Sequence, residues 1–223
     1  MVYIAGVDEA GRGPLIGDLF MALVAIDDGA ESLLRSLGVR DSKKLTRKRR
    51  EELFGYIAGV AEAVLVARVL PSDIDKENIN TLEIKTLCRL IAEAYSTIEI
   101  DRIYIDAFVD PNKITNYLRK CLEKSHIDNI VAVYDADSTY VVVSAASIIA
   151  KVLRDRHIDT LKQIYGDFGS GYPSDERTID WLKKYYQNYR AIPPIVRKSW
   201  KTIENTLGRS HTLDRYTVKR NKE

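Results

Sequence analysis

Asp8 and Glu9 stand side by side at the end of an apolar run formed by Val2, Ile4 and Val7. A Gly11-Arg12-Gly13 turn capped by Pro14 follows, and a second apolar run extends from Leu19 to Ile26. Carboxylates at a strand end suit a hard divalent cation, and neighbouring glycines let a ligand touch backbone. On spacing alone the stretch also reads as a strand, a tight turn and a solvated acidic pair. Two further acids, Asp106 and Asp137, follow later apolar segments. Acids so distant in sequence converge only if the fold brings their strand ends together, as adjacent parallel strands do. Three or four clustered carboxylates are unstable without cations, so the set predicts Mg²⁺ or Mn²⁺ on oxygen ligands. Two such ions about 3.5–4 Å apart would clamp the attacking water and leaving oxygen of a phosphodiester. One geometric condition applies. Neighbours on a regular strand face opposite ways, so Asp8 and Glu9 reach one ion only if the strand ends or bulges there.

The elements that must position these acids alternate as in an α/β fold. Strands are expected at Val2 to Asp8, Leu19 to Ile26, Ala63 to Leu70, Arg102 to Ile105 and Ile130 to Tyr134. Helices are expected from Arg47 to Ala58 behind a Thr46 cap, from Asn78 to Ser96, and from Pro111 to Glu123. After Asp137 the pattern turns helical. Ala145, Ile148, Ile149, Val152, Leu153, Leu161 and Ile164 stripe a long helix that stops at Gly166. GDFGSGYPSD reads as a loop, Thr178 to Tyr189 as a helix, IPPIV as extended and Ser199 to Leu207 as a short helix. The last thirteen residues, HTLDRYTVKRNKE, show no period and read as a mobile basic tail.

At 223 residues, with 45% hydrophobic and 30% charged residues, the chain fits one large domain or one domain with an appendage. No apolar run approaches a membrane helix and no export signal is legible, so the expected location is the cytoplasm. Cys88 and Cys121 match no metal spacing and read as free, partly buried thiols, with a disulfide open only for a hyperthermophilic source. Net charge is +2, yet Lys183 to Glu223 carries +8 and the preceding residues −6. A second basic cluster holds Arg40, Lys43, Lys44, Arg47, Lys48, Arg49 and Arg50 against Asp41. An acidic body with basic flanks suits an anionic polymer drawn onto a metal-binding pocket.

Several residues could read that polymer. Main-chain groups of Gly11, Arg12 and Gly13 could hydrogen-bond a ribose 2′-OH, although a plain turn explains the glycines without Arg12. Ser144, Ser147, Lys151 and Arg154 recur at helical steps opposite the apolar stripe, where they seat a phosphate or form an ordinary solvated face. Lys43 and Lys44 are candidate phosphate contacts. Tyr172, on a Gly/Pro-framed loop, is free to stack on a sugar or base. No histidine stands in a metal-like context.

GVDEAGRGPLIG resembles the N-terminal signature of type 2 ribonuclease H, the archaeal ribonuclease HII proteins in particular. The likeness continues through VRDSKKLTRKRREELF, YIDAFVD, YDADSTYVVVSAASIIAKVLRDR, GSGYPSD and IPPIVRKSWKT. It implies a ribonuclease-H-like mixed five-stranded sheet flanked by helices, with a small helical C-terminal appendage. Residues 1–165 would be the catalytic domain and 166–223 a basic substrate-binding region. It also implies that Asp8, Glu9, Asp106 and Asp137 are catalytic and hold the metal, that the Gly11–Gly13 motif senses the ribonucleotide, and that Tyr172 acts at the RNA–DNA junction. The chain departs from the pattern at Asp135, where a basic residue is usual, and at Val141, where a proline is common. Asp135 therefore competes with Asp137 as the fourth ligand, though the register to VSAASIIAK favours Asp137. The expected activity is a two-metal-ion endoribonuclease acting on RNA–DNA hybrids and on ribonucleotides in duplex DNA, leaving 5′-phosphate and 3′-hydroxyl ends. A monomer is expected. The rivals are a resolvase- or integrase-like DNA nuclease of the same fold, which has no use for a 2′-OH sensor, and a non-catalytic hybrid-binding module, which needs no acids on its ligand's path.

Overall fold

β2 (Leu19–Asp27) is buried from Leu19 to Ile26, as a strand must be when helices cover both faces of its sheet. In the computed structural model, which describes residues 3–40, 44–123 and 127–208, β2 lies between β1 (Tyr3–Ala10) and β3 (Ala63–Val69), antiparallel to both. β1 pairs in parallel with β4 (Arg102–Asp106), and β4 in parallel with β5 (Ile130–Val133), giving the mixed order β3-β2-β1-β4-β5. All five expected strands form. The difference that matters is at β1, which runs two residues past Asp8 and stays in register with β2 to Ala10↔Phe20.

Period-two alternation divides the core. Ala5, Val7, Leu23, Ile103 and Ile105 face α4 (Ile79–Thr97) and α5 (Pro111–Cys121). Ile4, Val24, Ile26 and Tyr104 face α1 (Asp28–Ser36), α2 (Arg47–Val60) and the long helix. α1 was not expected; Asp27 Oδ1 accepts the Ala30 amide at 2.7 Å and caps the helix. Thr46 caps α2 as expected. A short α3 (Pro71–Ile74) leads into α4, and α6 (Ala136–Thr139) precedes the long helix, α7 (Val141–Tyr165).

α7 is buried all round from Val141 to Ala150, including the serine face expected to be opposite its apolar stripe. The cause is Gly6: a Cβ there would lie well under 3.0 Å from the Val142 and Val143 backbone, so only glycine lets the helix lie against β1. The small residues Ser144, Ala145, Ala146 and Ser147 complete the close approach.

A third apolar cluster holds Leu15, Ile16, the far end of α7 (Ile158, Leu161), Phe168, Leu182 of α8 (Glu176–Tyr189), Ile195, Val196 and Ile203 of α9 (Lys201–Leu207). The chain after α7 is thus built around a segment that follows β1. The Leu15 and Ile16 amides donate to Gly171 O, and the Gly17 amide donates to Ile195 O. The expected C-terminal tail, residues 211–223, lies outside the described residues.

Cys88 on α4 and Cys121 at the end of α5 form a disulfide, which corrects the free-thiol expectation. Spacing could not show it, because the pairing depends on α4 and α5 lying side by side on one sheet face.

Two outcomes follow from these contacts. Gly6→Ala should destabilise the fold by about 1–3 kcal/mol or more, read from the midpoint of urea unfolding. Reduction, or Cys88→Ser with Cys121→Ser, should remove about 2–4 kcal/mol of stability and lower Tm, while cleavage measured well below that Tm stays unchanged.

Candidate active site

The alternation that divides the core also sorts the acids. Asp8 and Asp106 occupy the even positions of β1 and β4 and face α7, whereas Glu9 shares the face of Ala5 and Val7. Val7 pairs with Ile105, so the two aspartates sit beside each other on parallel strands. Asp137, on α6, joins them because the Ala136 amide donates to Asp106 Oδ1 at 2.9 Å and ties α6 to the end of β4. Among the described residues, carboxylate oxygens of Asp8, Asp106 and Asp137 lie within 4.8 Å of one another. Asp8 is 5% exposed and Asp137 2%. Asp135 takes a left-handed backbone (φ 53°) and is exposed, and of the two it is Asp137 that lies with Asp8 and Asp106.

Glu9 stands next to this triad rather than in it. β1 neither ends nor bulges at Asp8, so the geometric condition stated for the pair is not met by the backbone. Burial, helped by Asp8, Glu83 and Asp106 and opposed by Arg12, pushes the Glu9 carboxyl well above its ordinary range. Burial also pushes Asp8 up, to about 7, against the Ser147 hydroxyl; Asp106 adds to the rise, while Lys151 and the Glu9 amide oppose it. Lys151 Nζ in turn donates to Ser147 Oγ at 2.8 Å. Ser147 and Lys151 therefore act on Asp8 from α7. Ser144 is fully buried and its hydroxyl has no hydrogen-bond partner.

A cleft opens beside the triad, lined by Glu9, Ala10, Gly11, Arg12, Gly13, Arg50, Lys151, Arg154, Asp155 and Tyr172. Tyr172 is 39% exposed, and its ring faces Gly13 and lies 5.4 Å from the Arg154 guanidinium. Arg154 Nη2 also donates to Ser170 O at 3.2 Å, fixing the tyrosine's loop against α7. Gly11 has φ +91°, and a Cβ there would meet the Asp18 carbonyl oxygen at 2.7 Å, so the fold itself requires this glycine. A Cβ on Gly13 would touch only the Tyr172 ring, at an ordinary 3.5 Å, so the fold itself does not require this second glycine. Lys44 is exposed ahead of α2 and does not line the cleft; Lys43 lies outside the described residues.

Two residues that brace the cleft were not singled out in the sequence. Arg197 is fully buried, 0% exposed, and its guanidinium donates to Gly17 O (3.0 Å from Nε, 2.9 Å from Nη2), to Arg12 O (2.7 Å) and to Gly11 O. The Trp200 ring lies 5.2 Å from the same guanidinium. Burial pulls this arginine's pKa down to about 10, which still leaves it charged at neutral pH. The second is Glu83 of α4, 1% exposed, whose Oε2 accepts from Arg12 Nη1. A signal for Glu83 was present: it lies four residues before Leu87 and seven before Leu90, a charge on an apolar stripe. Arg197 offered only a charge between an apolar segment and a tryptophan.

The model of the family described as ribonuclease HII matches residues 5–203, a span running from before the triad to beyond Arg197. The chain belongs to the ribonuclease HII family. It is 45% identical to the ribonuclease HII of Saccharolobus solfataricus over 201 residues, which cover 90% of this chain and 92% of that protein. With the ribonuclease HII of Pyrococcus horikoshii it shares 43% over 218 residues, covering 96% and 98%. The crystal structure of ribonuclease H2 from Pyrococcus horikoshii superposes with a TM-score of 0.85 at 42% identity, covering 94% of this chain and 99% of that one. A relative from Archaeoglobus fulgidus, solved as a PCNA:RNase HII complex, gives 0.79 at 40% identity, covering 90% and 96%. Bst-RNase HIII in complex with Mn²⁺, at 19% identity and a TM-score of 0.74 over 96% of this chain and 71% of that one, shares the fold. Family membership makes the chain a nuclease hydrolase of the ribonuclease H type. The fold is the ribonuclease-H-like one expected from the resemblance.

Arg197→Met should unfold the cleft's floor first. It leaves three carbonyls without their donor, at a cost of about 3 kcal/mol or more, which for a chain of this size lowers Tm by about 6–12 °C. Differential scanning calorimetry of the purified variant checks it.

Proposed function

We propose that the chain is an endoribonuclease that hydrolyses the RNA strand of RNA–DNA hybrids and cuts at ribonucleotides embedded in duplex DNA. The supporting observation is one juxtaposition: three aspartates gathered within 4.8 Å beside a cleft that presents glycine backbone, a half-exposed tyrosine and basic side chains. The donor set fits a hard divalent cation, since all three ligands are carboxylates and two of them are buried where like charges repel. Asp8, Asp106 and Asp137 would hold Mg²⁺ or Mn²⁺. Such ions, when bound, supply charge neutralisation of the scissile phosphodiester and a lowered pKa for water.

The protein's own residues account for the rest of the reaction. Backbone groups of Gly11 to Gly13 offer hydrogen bonds to a 2′-OH, and Gly13 leaves room for the sugar against Tyr172. Tyr172 stacks on the sugar next to the attacked bond, which makes it the residue that finds a junction. Lys151 carries a positive charge between Ser147 and the cleft, where it meets a phosphate oxygen, and Arg50 and Arg154 add to the same field. Glu9, at the rim, is placed to orient water or a metal-bound group from the opposite face of β1. Products with 5′-phosphate and 3′-hydroxyl ends follow from attack in line with the 3′-oxygen. We assign residues 1–165 the chemistry and 166–223 a share of substrate binding, in keeping with the position of Tyr172 after the long helix.

The deciding experiment is cleavage of a labelled duplex carrying one ribonucleotide, with and without Mg²⁺ or Mn²⁺, beside a long hybrid and an all-DNA duplex. Cutting only the two ribose-containing substrates, only with metal, is the expected result. Cleavage of the all-DNA duplex would point to a resolvase-like enzyme, and tight binding without cleavage to a hybrid-binding module. Asp8→Asn, Asp106→Asn and Asp137→Asn should each lower the rate by at least about a hundredfold, with melting unchanged or raised because a repelling charge is gone. Asp135→Asn should stay near wild type. A metal-dependent rise in Tm, present in wild type and lost in Asp8→Asn, checks binding apart from turnover.

A further inference from the structure

The Gly11–Gly13 loop is held from two sides. Arg197 takes its carbonyls from the C-terminal side, as described. From the other side, Arg12 reaches across to the first turns of α4, donating from Nη1 to Glu83 Oε2 and from Nη2 to Asn80 Oδ1. The Arg12 guanidinium also lies 5.6 Å from the ring of Phe108, two residues past Asp106. Both terminal nitrogens of Arg12 are therefore engaged with α4, which makes it a tether rather than a hand extended to phosphate.

Glu83 is what makes the tether hold. Its side chain is 1% exposed, and among the described residues its Oε1 has no hydrogen-bond partner. A carboxylate removed from water in this way depends strongly on the cation it is hydrogen-bonded to, and breaking such a pair by removing one member is far costlier than losing a surface ion pair. Arg12 for its part remains one-third exposed, so it would be free to swing into water if Glu83 did not hold it. The pair links α4, on one face of the sheet, to a loop whose other end leads straight back to Asp8. Among the described residues, none from α4 lines the cleft, so α4 reaches it through Arg12.

We propose that Glu83 is a positioning residue of the active site: acting through Arg12, it fixes the distance of the Gly11–Gly13 backbone from Asp8 and Asp106, and so the placement of the attacked ribose. This rests on the ribonuclease reading above. Because Glu83 touches no substrate, its loss leaves the phosphate-facing Lys151, Arg50 and Arg154 in place. The effect falls on kcat, not KM. A misplacement of about 1 Å at the reacting group costs on the order of a hundredfold in rate.

The test is a double-mutant cycle on a duplex with a single ribonucleotide, using Glu83→Leu, Arg12→Leu and both together. Each single variant should lose about ten- to a hundredfold in kcat with KM changed by less than about threefold. The double variant should be no slower than the slower single one, because the two residues act as a unit. Glu83→Gln, which keeps an acceptor for Arg12, should recover most of the lost kcat. Should Glu83→Leu fail to fold, Glu83→Gln and Asn80→Ala enter the cycle with Arg12→Leu instead, and the same non-additivity is expected. Wild-type kcat in a folded Glu83→Leu variant overturns the inference, as do losses that multiply in the double variant or a change confined to Tm or KM. A wild-type chain that cuts no ribose-containing duplex overturns the ribonuclease reading, and this inference with it.

Discussion

The contact between Gly6 and the first turns of α7 is the constraint on which the site depends. A side chain at Gly6 would strike the Val142 and Val143 backbone, so the helix lies against β1 only because nothing projects from that position. That approach puts Ser147 and Lys151 within reach of Asp8, two residues along the same strand face. It also fixes where α6 sits, since α6 leads directly into α7 and is tied to Asp106 by the Ala136 amide. The triad is thus assembled from the close packing of one helix on one strand rather than from attraction among its members, which repel each other. Packing density and carboxylate repulsion oppose one another here, and the folded backbone holds the charges together.

Much of this was legible because the informative residues are local. Strand alternation in the segment around Asp8, the apolar run ending at Asp106, and the Thr46 cap are all set by neighbours within a few positions. The same alternation poses the question that Glu9 answers: β1 continues unbulged, so the two adjacent acids point to opposite faces. What the sequence did not disclose depends on partners far away in the chain. Arg197 acquires its meaning from carbonyls about 180 residues earlier. Cys88 and Cys121 meet only because two helices share a sheet face. The serines of α7 read as an exposed stripe, because helical periodicity shows which residues share a face but not how deeply a glycine on a neighbouring strand lets that face sink.

The cleft combines two kinds of rigidity. On the triad side, position is set by sheet register and helix packing, which tolerate little displacement. On the loop side, it is set by buried charge: Arg197 on the carbonyls, and Glu83 on the Arg12 side chain. Buried ion pairs are weak contributors to net stability and strong specifiers of geometry, because the alternatives leave a charge unmatched. The position of the Gly11–Gly13 loop is therefore specified more than it is stabilised.

The Arg197 clamp also sets the order in which the enzyme comes into being. Asp8 is made about 190 residues before Arg197, the residue that closes the loop beside it. At about 5–20 residues per second, the interval between them is about 10–40 s. Throughout that time a growing chain carries the acids of β1 without the floor of its cleft. The cleft is therefore completed only once Arg197 has been made, and a chain cut short before it carries the aspartates without the floor that faces them.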